Sequence, residues 1–338
     1  MKLRGAISGF GEVAAKAHLA GWRGRENVKI GVIHDPMAER RHEAIRLIKN
    51  VRVYDDLELM LDGEALDFVD IASPPALHGA AARTALNAGA HVLVEKPLGL
   101  SLAEFDEVVG LARTQHRVLM CVHNWKFAPA YALARSLIDK GRIGTVESVS
   151  LQRLRVQPAG TGGTGAAWRT AGASGGGILI DHGWHVFYLM QWLMGVEPPH
   201  TVAAALITNG HGVEEAAEVE VTFGAGQRGR ASLSWRARER RTRATIVGTG
   251  GSLEIASERL LLTEGQDTTE LLVQDIRDDS YHSAWFSAVA ATFEKAISEG
   301  PDSAIARANL LEARTSVALI AAARASAESG GVQTEIKA

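Results

Sequence analysis

At 338 residues, 46% of them hydrophobic and 22% charged, the chain is long enough for two hydrophobic cores and too apolar to stay disordered. A formal net charge of -3 supplies no basic field for nucleic acid and no pull toward an anionic membrane. The single cysteine, Cys121, excludes an internal disulfide framework and a multi-cysteine zinc site, and no metal site is expected.

Leu3 to Ser8 reads as a buried strand, followed by glycines and a helical run from Glu12 to about Ala20. Those glycines and Glu12 break the apolar stretch before a signal-peptide core forms, and no apolar run reaches the ~20 residues that span a bilayer. A protein of the cytoplasm is expected. Val28 to His34, Leu66 to Ala72, His91 to Glu95 and Val118 to Val122 are further short apolar runs, as in strands buried on both faces. Helical patterns lie between them. Ser101 with Glu104 forms a capping box ahead of Leu102, Phe105, Val108, Val109 and Ala112 at helical spacing. Strand and helix in alternation predict an α/β fold with a doubly wound parallel sheet over residues 1–123.

From residue 124 the pattern changes. Pro129 opens a helix that Gly141 closes. Residues 158–165, Pro-Ala-Gly-Thr-Gly-Gly-Thr-Gly, read equally well as a slack surface loop or a lid over a ligand. Glu218 to Phe223 alternates polar and apolar residues, as a one-sided antiparallel strand does, and Ala231 to Ala237, Arg243 to Val247 and Gly251 to Ile255 are similar. The last two are joined by a glycine-rich hairpin turn. Helices return at Ser283 to Ser298 and Asp302 to about Ser326. Residues 124–338 are therefore expected to form an α+β domain on an open-faced, largely antiparallel sheet, serving substrate binding and oligomerisation. An apolar sheet face needing cover points to a homodimer or homotetramer, although the domain's own helices can supply that cover.

Gly9-Phe10-Gly11-Glu12-Val13-Ala14 matches G-x-G-x-x-A between a strand and a helix. The first glycine permits the tight turn, the second lets a pyrophosphate approach the backbone, and Ala14 lets the helix pack on the sheet. The helix N-terminus offers unpaired N–H groups to the phosphates. Asp35 ends the next strand, where a carboxylate accepts hydrogen bonds from the adenosine ribose. These features point to a dinucleotide. Asp35 would repel a 2′-phosphate and so favours NAD over NADP, while Arg40 and Arg41 stand close enough to cradle that phosphate instead, or simply line a solvated helix face.

Three further stretches carry a resemblance. Ser73-Pro74-Pro75 with His78, Gly89-Ala-His-Val-Leu-Val-Glu95-Lys96-Pro97, and Gly175-Gly-Gly-Ile-Leu-Ile-Asp181-His-Gly-Trp-His185 resemble the glucose–fructose oxidoreductase, inositol dehydrogenase and MocA (Gfo/Idh/MocA) family over nearly the whole chain. The resemblance implies a Rossmann domain, a sheet domain, and oxidation or reduction of carbohydrate-like substrates with a nicotinamide cofactor. It implies catalytic roles for Lys96, Asp181 and His185, and a place beside the cofactor for Ser73, Pro74, His78, Glu95 and Asn124. It puts His123, Lys126, Trp168 and Arg169 near the substrate, with His182 and Trp184 pointing away.

The chemistry suits these residue types. A hydroxyl losing its hydrogen as hydride must also lose its proton, and a histidine with an unperturbed pKa of ~6.5 can take it. Asp181 and His185 are spaced i, i+4, so a helix puts both on one face. The Lys96 ammonium, at the end of a parallel strand, can stabilise a developing alkoxide. Tyr188 departs from the family, many of whose members have an acid or asparagine there; a phenol can stack on a sugar face. Arg153 and Arg155 share a strand face and can read a carboxylate or phosphate, or merely cover a sheet surface. Arg236, Arg238, Arg240, Arg241 and Arg243 suit a solvated strand edge or subunit contact better than nucleic acid. The expected protein is an NAD(H)-dependent dehydrogenase of a sugar or cyclitol. Its rivals are a reductase of nucleotide-linked keto-sugars and a nicotinamide-binding sensor without turnover.

Overall fold

Six short strands of the N-terminal third lie parallel in one sheet: β1 (Leu3–Ser8), β2 (Val28–His34), β3 (Arg52–Tyr54), β4 (Phe68–Ile71), β5 (His91–Val94) and β6 (Leu119–Cys121). Their order is β3-β2-β1-β4-β5-β6, a doubly wound sheet with its switch point between β1 and β4. The computed structural model describes residues 2–159, 167–171, 176–195, 198–256, 259–272 and 281–337; residues 160–165 of the candidate loop or lid, and Gly175, lie outside them. β4 is buried at every residue, which explains why such strands read as unbroken apolar runs. β3 has no such run and escapes a sequence reading; its side chains are half-buried or exposed.

The chain divides into two compact units, Met1–Asn124 with Ile276–Ala313, and Trp125–Asp275 with Arg314–Ala338. The simple division after residue 123 therefore needs correction, because the helix Ser283–Glu299 returns to the first unit. The reason is apolar burial. Phe286 and Phe293 are fully buried against Trp22, and Phe293 also meets Phe68 edge-on at 5.7 Å. Burying one such ring stabilises by about 1.5–3 kcal/mol. The first helix spans residues 12–23 and contains a π-helical turn at Ala14–His18. The capping box forms: Glu104 N–H donates to Ser101 Oγ at 3.2 Å, and the Glu104 carboxylate accepts from Leu100 N–H at 2.9 Å.

The second unit carries a nine-stranded sheet: β7 (Val146–Leu154), β8 (Pro199–Thr208), β9 (Glu214–Phe223), β10 (Arg228–Ser234), β11 (Arg241–Gly248), β12 (Gly251–Ala256), β13 (Arg259–Glu264), β14 (Asp267–Leu272) and β15 (Thr334–Glu335). All pairings are antiparallel except β10 with β7. Gly248 pairs with Gly251, so the hairpin turn is Thr249-Gly250. One face is apolar, with Leu151, Val219, Ala231, Leu233 and Ala244 buried. The helix Trp184–Met194 packs on it so closely that a Cβ on Gly229 would lie 2.2 Å from Met190 Sδ. The domain's own helix thus supplies cover at this part of the face. The opposite face is charged, with Glu220 paired to Arg230 and Glu218 accepting from Ser232 Oγ at 2.6 Å. Most of the arginine cluster pairs with carboxylates: Arg236 with Glu215 (3.8 Å), Arg241 with Glu239, and Arg243 with Glu254 (2.6 Å). Among the described residues, no helix is long and apolar enough to cross a membrane.

Candidate active site

In the first unit the expected cofactor residues follow the C-terminal ends of successive parallel strands: Gly9–Val13 after β1, Asp35 after β2, Ser73–Pro74 after β4, Glu95–Lys96 after β5, and Asn124 beyond β6. This is where doubly wound sheets bind ligands. Gly9 has φ +87°, and a Cβ there would lie 2.5 Å from Ser73 N, so the turn requires glycine. A Cβ on Gly11 would meet nothing within 4 Å, leaving the backbone open to a pyrophosphate. Ser73 Oγ and Asn124 Oδ1 are buried without a hydrogen-bond partner among the described residues, as polar groups of a ligand site are. These residues fit a dinucleotide.

Asp35 is buried, and both its oxygens accept backbone N–H groups: Oδ2 from Phe10 at 2.7 Å, Oδ1 from Met37 at 2.9 Å. It thus shapes the glycine turn, while each oxygen keeps a second lone pair for a ribose hydroxyl. The Phe10 ring is wholly in the core, so only its backbone is available to phosphate. Arg40 pairs with Glu43 at 3.1 Å, and Arg41 donates to the carbonyls of Asp35 (2.8 Å) and Pro36 (2.9 Å). Both arginines are thus tied to their own loop and helix. Glu12 accepts from Tyr281 Oη at 2.7 Å, which with Lys16 lowers its pKa. Val13 is exposed.

His78 is buried and clamps two loops. Its Nδ1 lies 2.6 Å from Pro97 O and its Nε2 2.6 Å from Ser73 O. Both acceptors are carbonyls, so only the imidazolium donates to both, whereas burial pushes its pKa down. His78 therefore braces the Ser73 and Lys96–Pro97 backbones rather than presenting a free edge to a cofactor. The Lys96–Pro97 peptide bond is cis. Lys96 is half-buried, and its N–H donates to Glu95 Oε2 at 3.1 Å.

Behind Glu95 lies a network that sequence reasoning missed. His18 is fully buried, with Nδ1 3.0 Å from both Asp70 oxygens and Nε2 3.1 Å from Glu95 Oε1. Trp22 Nε1 donates to Asp70 Oδ2 at 2.7 Å. Burial opposes the charge on His18, yet the attraction of Asp70 and Glu95 exceeds it and raises the pKa to about 9. The one available signal was an aspartate inside an otherwise apolar strand, Phe68-Val-Asp70-Ile71. His123 is buried too, with Nδ1 3.1 Å from Glu312 Oε2, and it sits in the first unit rather than opening a substrate domain.

In the second unit a π-helical turn, Leu179–Gly183, runs directly into the helix Trp184–Met194. Asp181 thus lies in wider helical geometry than i, i+4 spacing assumes. It is buried and accepts from Arg169 Nε at 3.2 Å; the Arg169 guanidinium covers Trp168 at 4.6 Å. His182 is buried 3.8 Å from Asp181 Oδ2, and Trp184 is fully buried. His185 is half-buried and stacks on the Trp125 indole at 4.7 Å and 14°. Its Nδ1 lies 3.0 Å from Tyr188 Oη. Tyr188 needs correction: it is entirely buried, and its oxygen also accepts Trp125 N–H at 3.0 Å, so its ring has no face to offer a sugar. Arg153 lies over the Trp125 indole at 4.1 Å, and Lys126 over Trp192 at 5.4 Å.

Known proteins resemble both units. A model of the oxidoreductase family with an NAD-binding Rossmann fold matches residues 3–123, and a Gfo/Idh/MocA C-terminal domain model matches residues 131–254. D-apiose dehydrogenase of Paraburkholderia graminis is 27% identical over 79% of this chain and 71% of its own length. An uncharacterized oxidoreductase of Schizosaccharomyces pombe is 32% identical, but over only 46% of this chain and 41% of its own length. The chain thus spans about two fifths of some curated relatives it matches. The solved structure of levoglucosan dehydrogenase in complex with NADH and levoglucosan shares the fold, with a TM-score of 0.86 at 22% identity over 100% of both chains. Both halves of the sequence lead to the same place: the chain belongs to the Gfo/Idh/MocA family of oxidoreductases and carries its NAD-binding Rossmann domain.

Proposed function

We propose that the protein is an NAD(H)-dependent dehydrogenase that acts on a secondary alcohol, or the corresponding ketone, of a carbohydrate-like substrate. Gly9, Gly11 and the N-terminus of the 12–23 helix would hold the pyrophosphate, and Asp35 the ribose. Bound there, nicotinamide supplies the hydride acceptor that no side chain provides. Lys96 holds the reacting oxygen and stabilises negative charge on it. His185 accepts the hydroxyl proton in oxidation and returns it in reduction. Asp181, oriented by Arg169, binds a substrate hydroxyl.

The way His185 is held carries this reading. The Tyr188 oxygen accepts Trp125 N–H, and a second lone pair can accept from His185 Nδ1–H. A neutral imidazole protonated at Nδ1 has its basic lone pair on Nε2, the state a general base requires. The Trp125 stack then fixes the plane of the ring. The relatives support the substrate class, since their names include dehydrogenases of D-apiose, a D-glucoside and levoglucosan. A cytoplasmic homodimer or homotetramer belongs to the same reading, and light scattering checks the assembly.

The test is turnover of a sugar and cyclitol series with NAD and NADP in parallel, by wild type, Lys96→Ala and His185→Ala. Each substitution is expected to cut turnover by about 10²-fold or more while NADH binding, read by fluorescence, persists. Near wild-type turnover in both variants would reject these roles.

A further inference from the structure

β7 places two arginines at the end of the sheet face that the helix Trp184–Met194 covers. Arg153 is in register with Leu233 on one side and Thr242 on the other, and Leu233 is buried on that face. Arg155 follows two residues later and is itself buried. Arg155 is thus withdrawn from solvent within the chain itself, and Arg153 is half-buried.

The two guanidinium groups meet at one hydroxyl. Arg153 Nη1 donates to Thr242 Oγ1 at 3.2 Å, and Arg155 Nη2 donates to the same oxygen at 3.1 Å. Arg155 Nη1 is satisfied by the carbonyls of Leu154 (2.6 Å) and Arg241 (3.2 Å). Arg153 is not so satisfied. Its Nε is buried with no acceptor among the described residues, so the planar edge opposite Nη1 is left for another partner. That edge is the side-on fork that matches a carboxylate. The Trp235 indole N–H is likewise buried without an acceptor, just past the Ser234–Leu154 pair and so level with Arg155. Both groups donate only, and a buried donor without an acceptor costs about 1–3 kcal/mol.

Charge points the same way. Burial, then the repulsion of Arg155, pushes Arg153 down to about 9, and burial, then the exposed Arg240, pushes Arg155 down to about 10. Asp181 favours both charged forms, but it is already bonded to Arg169. Two adjacent cations, one half-buried and one buried, thus gain from one further anion.

We propose that Arg153, supported by Arg155, binds a carboxylate of the substrate, so that the protein acts on sugar acids in preference to neutral sugars. Arg153 and His185 both lie against the Trp125 indole, at 4.1 and 4.7 Å, so one aromatic side chain positions both groups. A single planar edge suits a carboxylate; a tetrahedral phosphate dianion calls for more donors than the shared Thr242 leaves. This inference rests on the dehydrogenase reading.

The experiment compares matched neutral hexoses, hexuronates and hexose 6-phosphates as substrates with NAD, for wild type, Arg153→Gln and Arg155→Gln. The hexuronate series is expected to show kcat/KM about tenfold or more above the neutral series, with most of that preference lost in Arg153→Gln through KM. Wild type that prefers neutral sugars overturns the inference while leaving the dehydrogenase reading intact, and a preference for the phosphates overturns the carboxylate assignment. No NAD reduction in any series counts against the dehydrogenase reading itself. Thermal melts of the NADH-loaded protein with gluconate against glucose then decide the inference separately: a rise with gluconate that Arg153→Gln abolishes supports it, and no rise in wild type overturns it.

Discussion

Two histidines, one in each unit, stand in or just after a π-helical turn and stack on an aromatic ring, yet they are built for opposite purposes. His18 is fully buried between Asp70 and Glu95, against Phe286 at 3.8 Å. Its charge is locked in, with a pKa raised to about 9 after burial is outweighed by the two carboxylates. His185 is half-buried; it stacks on the Trp125 indole and its Nδ1 lies 3.0 Å from the Tyr188 phenol, both neutral groups. Flanking carboxylates stabilise a structural cation, whereas a phenol and an indole are neutral contacts that position a ring. On the proposed reading, proton transfer falls to the second site and rigidity to the first.

The largest effect that would break this contrast is at His185. His185→Gln is expected to lower turnover about 10²–10⁴-fold with a small change in denaturation midpoint. His18→Gln should do the reverse, costing about 3–5 kcal/mol because Asp70 and Glu95 lose the cation between them. Urea denaturation and steady-state kinetics on both variants check the pair, and a catalytic collapse without destabilisation in His18→Gln would erase the distinction. The pH dependence follows from the direction of each shift. The folded pKa of His18 lies above its unfolded value, so its contribution is complete below pH ~6.5 and is lost as pH rises through about 9. Glu95, lowered chiefly by its bond to His18 against the opposing effect of burial, contributes above the ordinary carboxylate range and loses that contribution on acidification. Wild-type stability should decline between pH 6.5 and 9, and His18→Gln should flatten that limb.

The sequence made much of the first unit legible because its signals are local. β1 and β2 begin and end where the apolar runs do, and the glycine turn, Asp35 and the Ser101–Glu104 box are short-range patterns. The His18 network was not legible, since its partners lie 52 and 77 residues away and only packing brings them together. The return of Ser283–Glu299 to the first unit is equally non-local: its apolar stripe reads the same whichever core it joins. In the second unit, motif spacing marked Asp181 and His185 as candidates but misread Tyr188. Nothing in a helical pattern tells a phenol that faces a ligand from one that accepts a buried backbone N–H.

Tyr188→Phe sharpens the contrast at an intermediate scale. It removes the hydroxyl that accepts Trp125 N–H and hydrogen-bonds with His185 Nδ1, at nearly constant volume. The orphaned N–H costs about 1–3 kcal/mol of stability. If Tyr188 selects the imidazole tautomer, kcat should fall about tenfold and its pH profile should shift, with KM little changed. A stability loss with an unaltered kcat profile would reduce Tyr188 to a packing residue.

The smallest expected effect is the most specific to His18. Its ring lies nearly parallel to that of Phe286, 19° apart, and Phe286 also meets Trp22 edge-on at 5.9 Å. Phe286→Leu keeps an apolar group of similar reach but removes the electron-rich face over the imidazolium. The expected cost near neutral pH is about 1 kcal/mol, from aromatic stacking and imperfect repacking. Part of that cost depends on the charge beneath the ring. It should shrink above pH 9, where His18 is neutral in both states, and the alkaline limb should move to lower pH because the folded cation is less favoured. Urea titrations of wild type and Phe286→Leu at pH 7 and above 9 measure the difference directly. A penalty identical at both pH values would mean that Phe286 contributes only bulk, and that the two carboxylates alone fix the charge on His18.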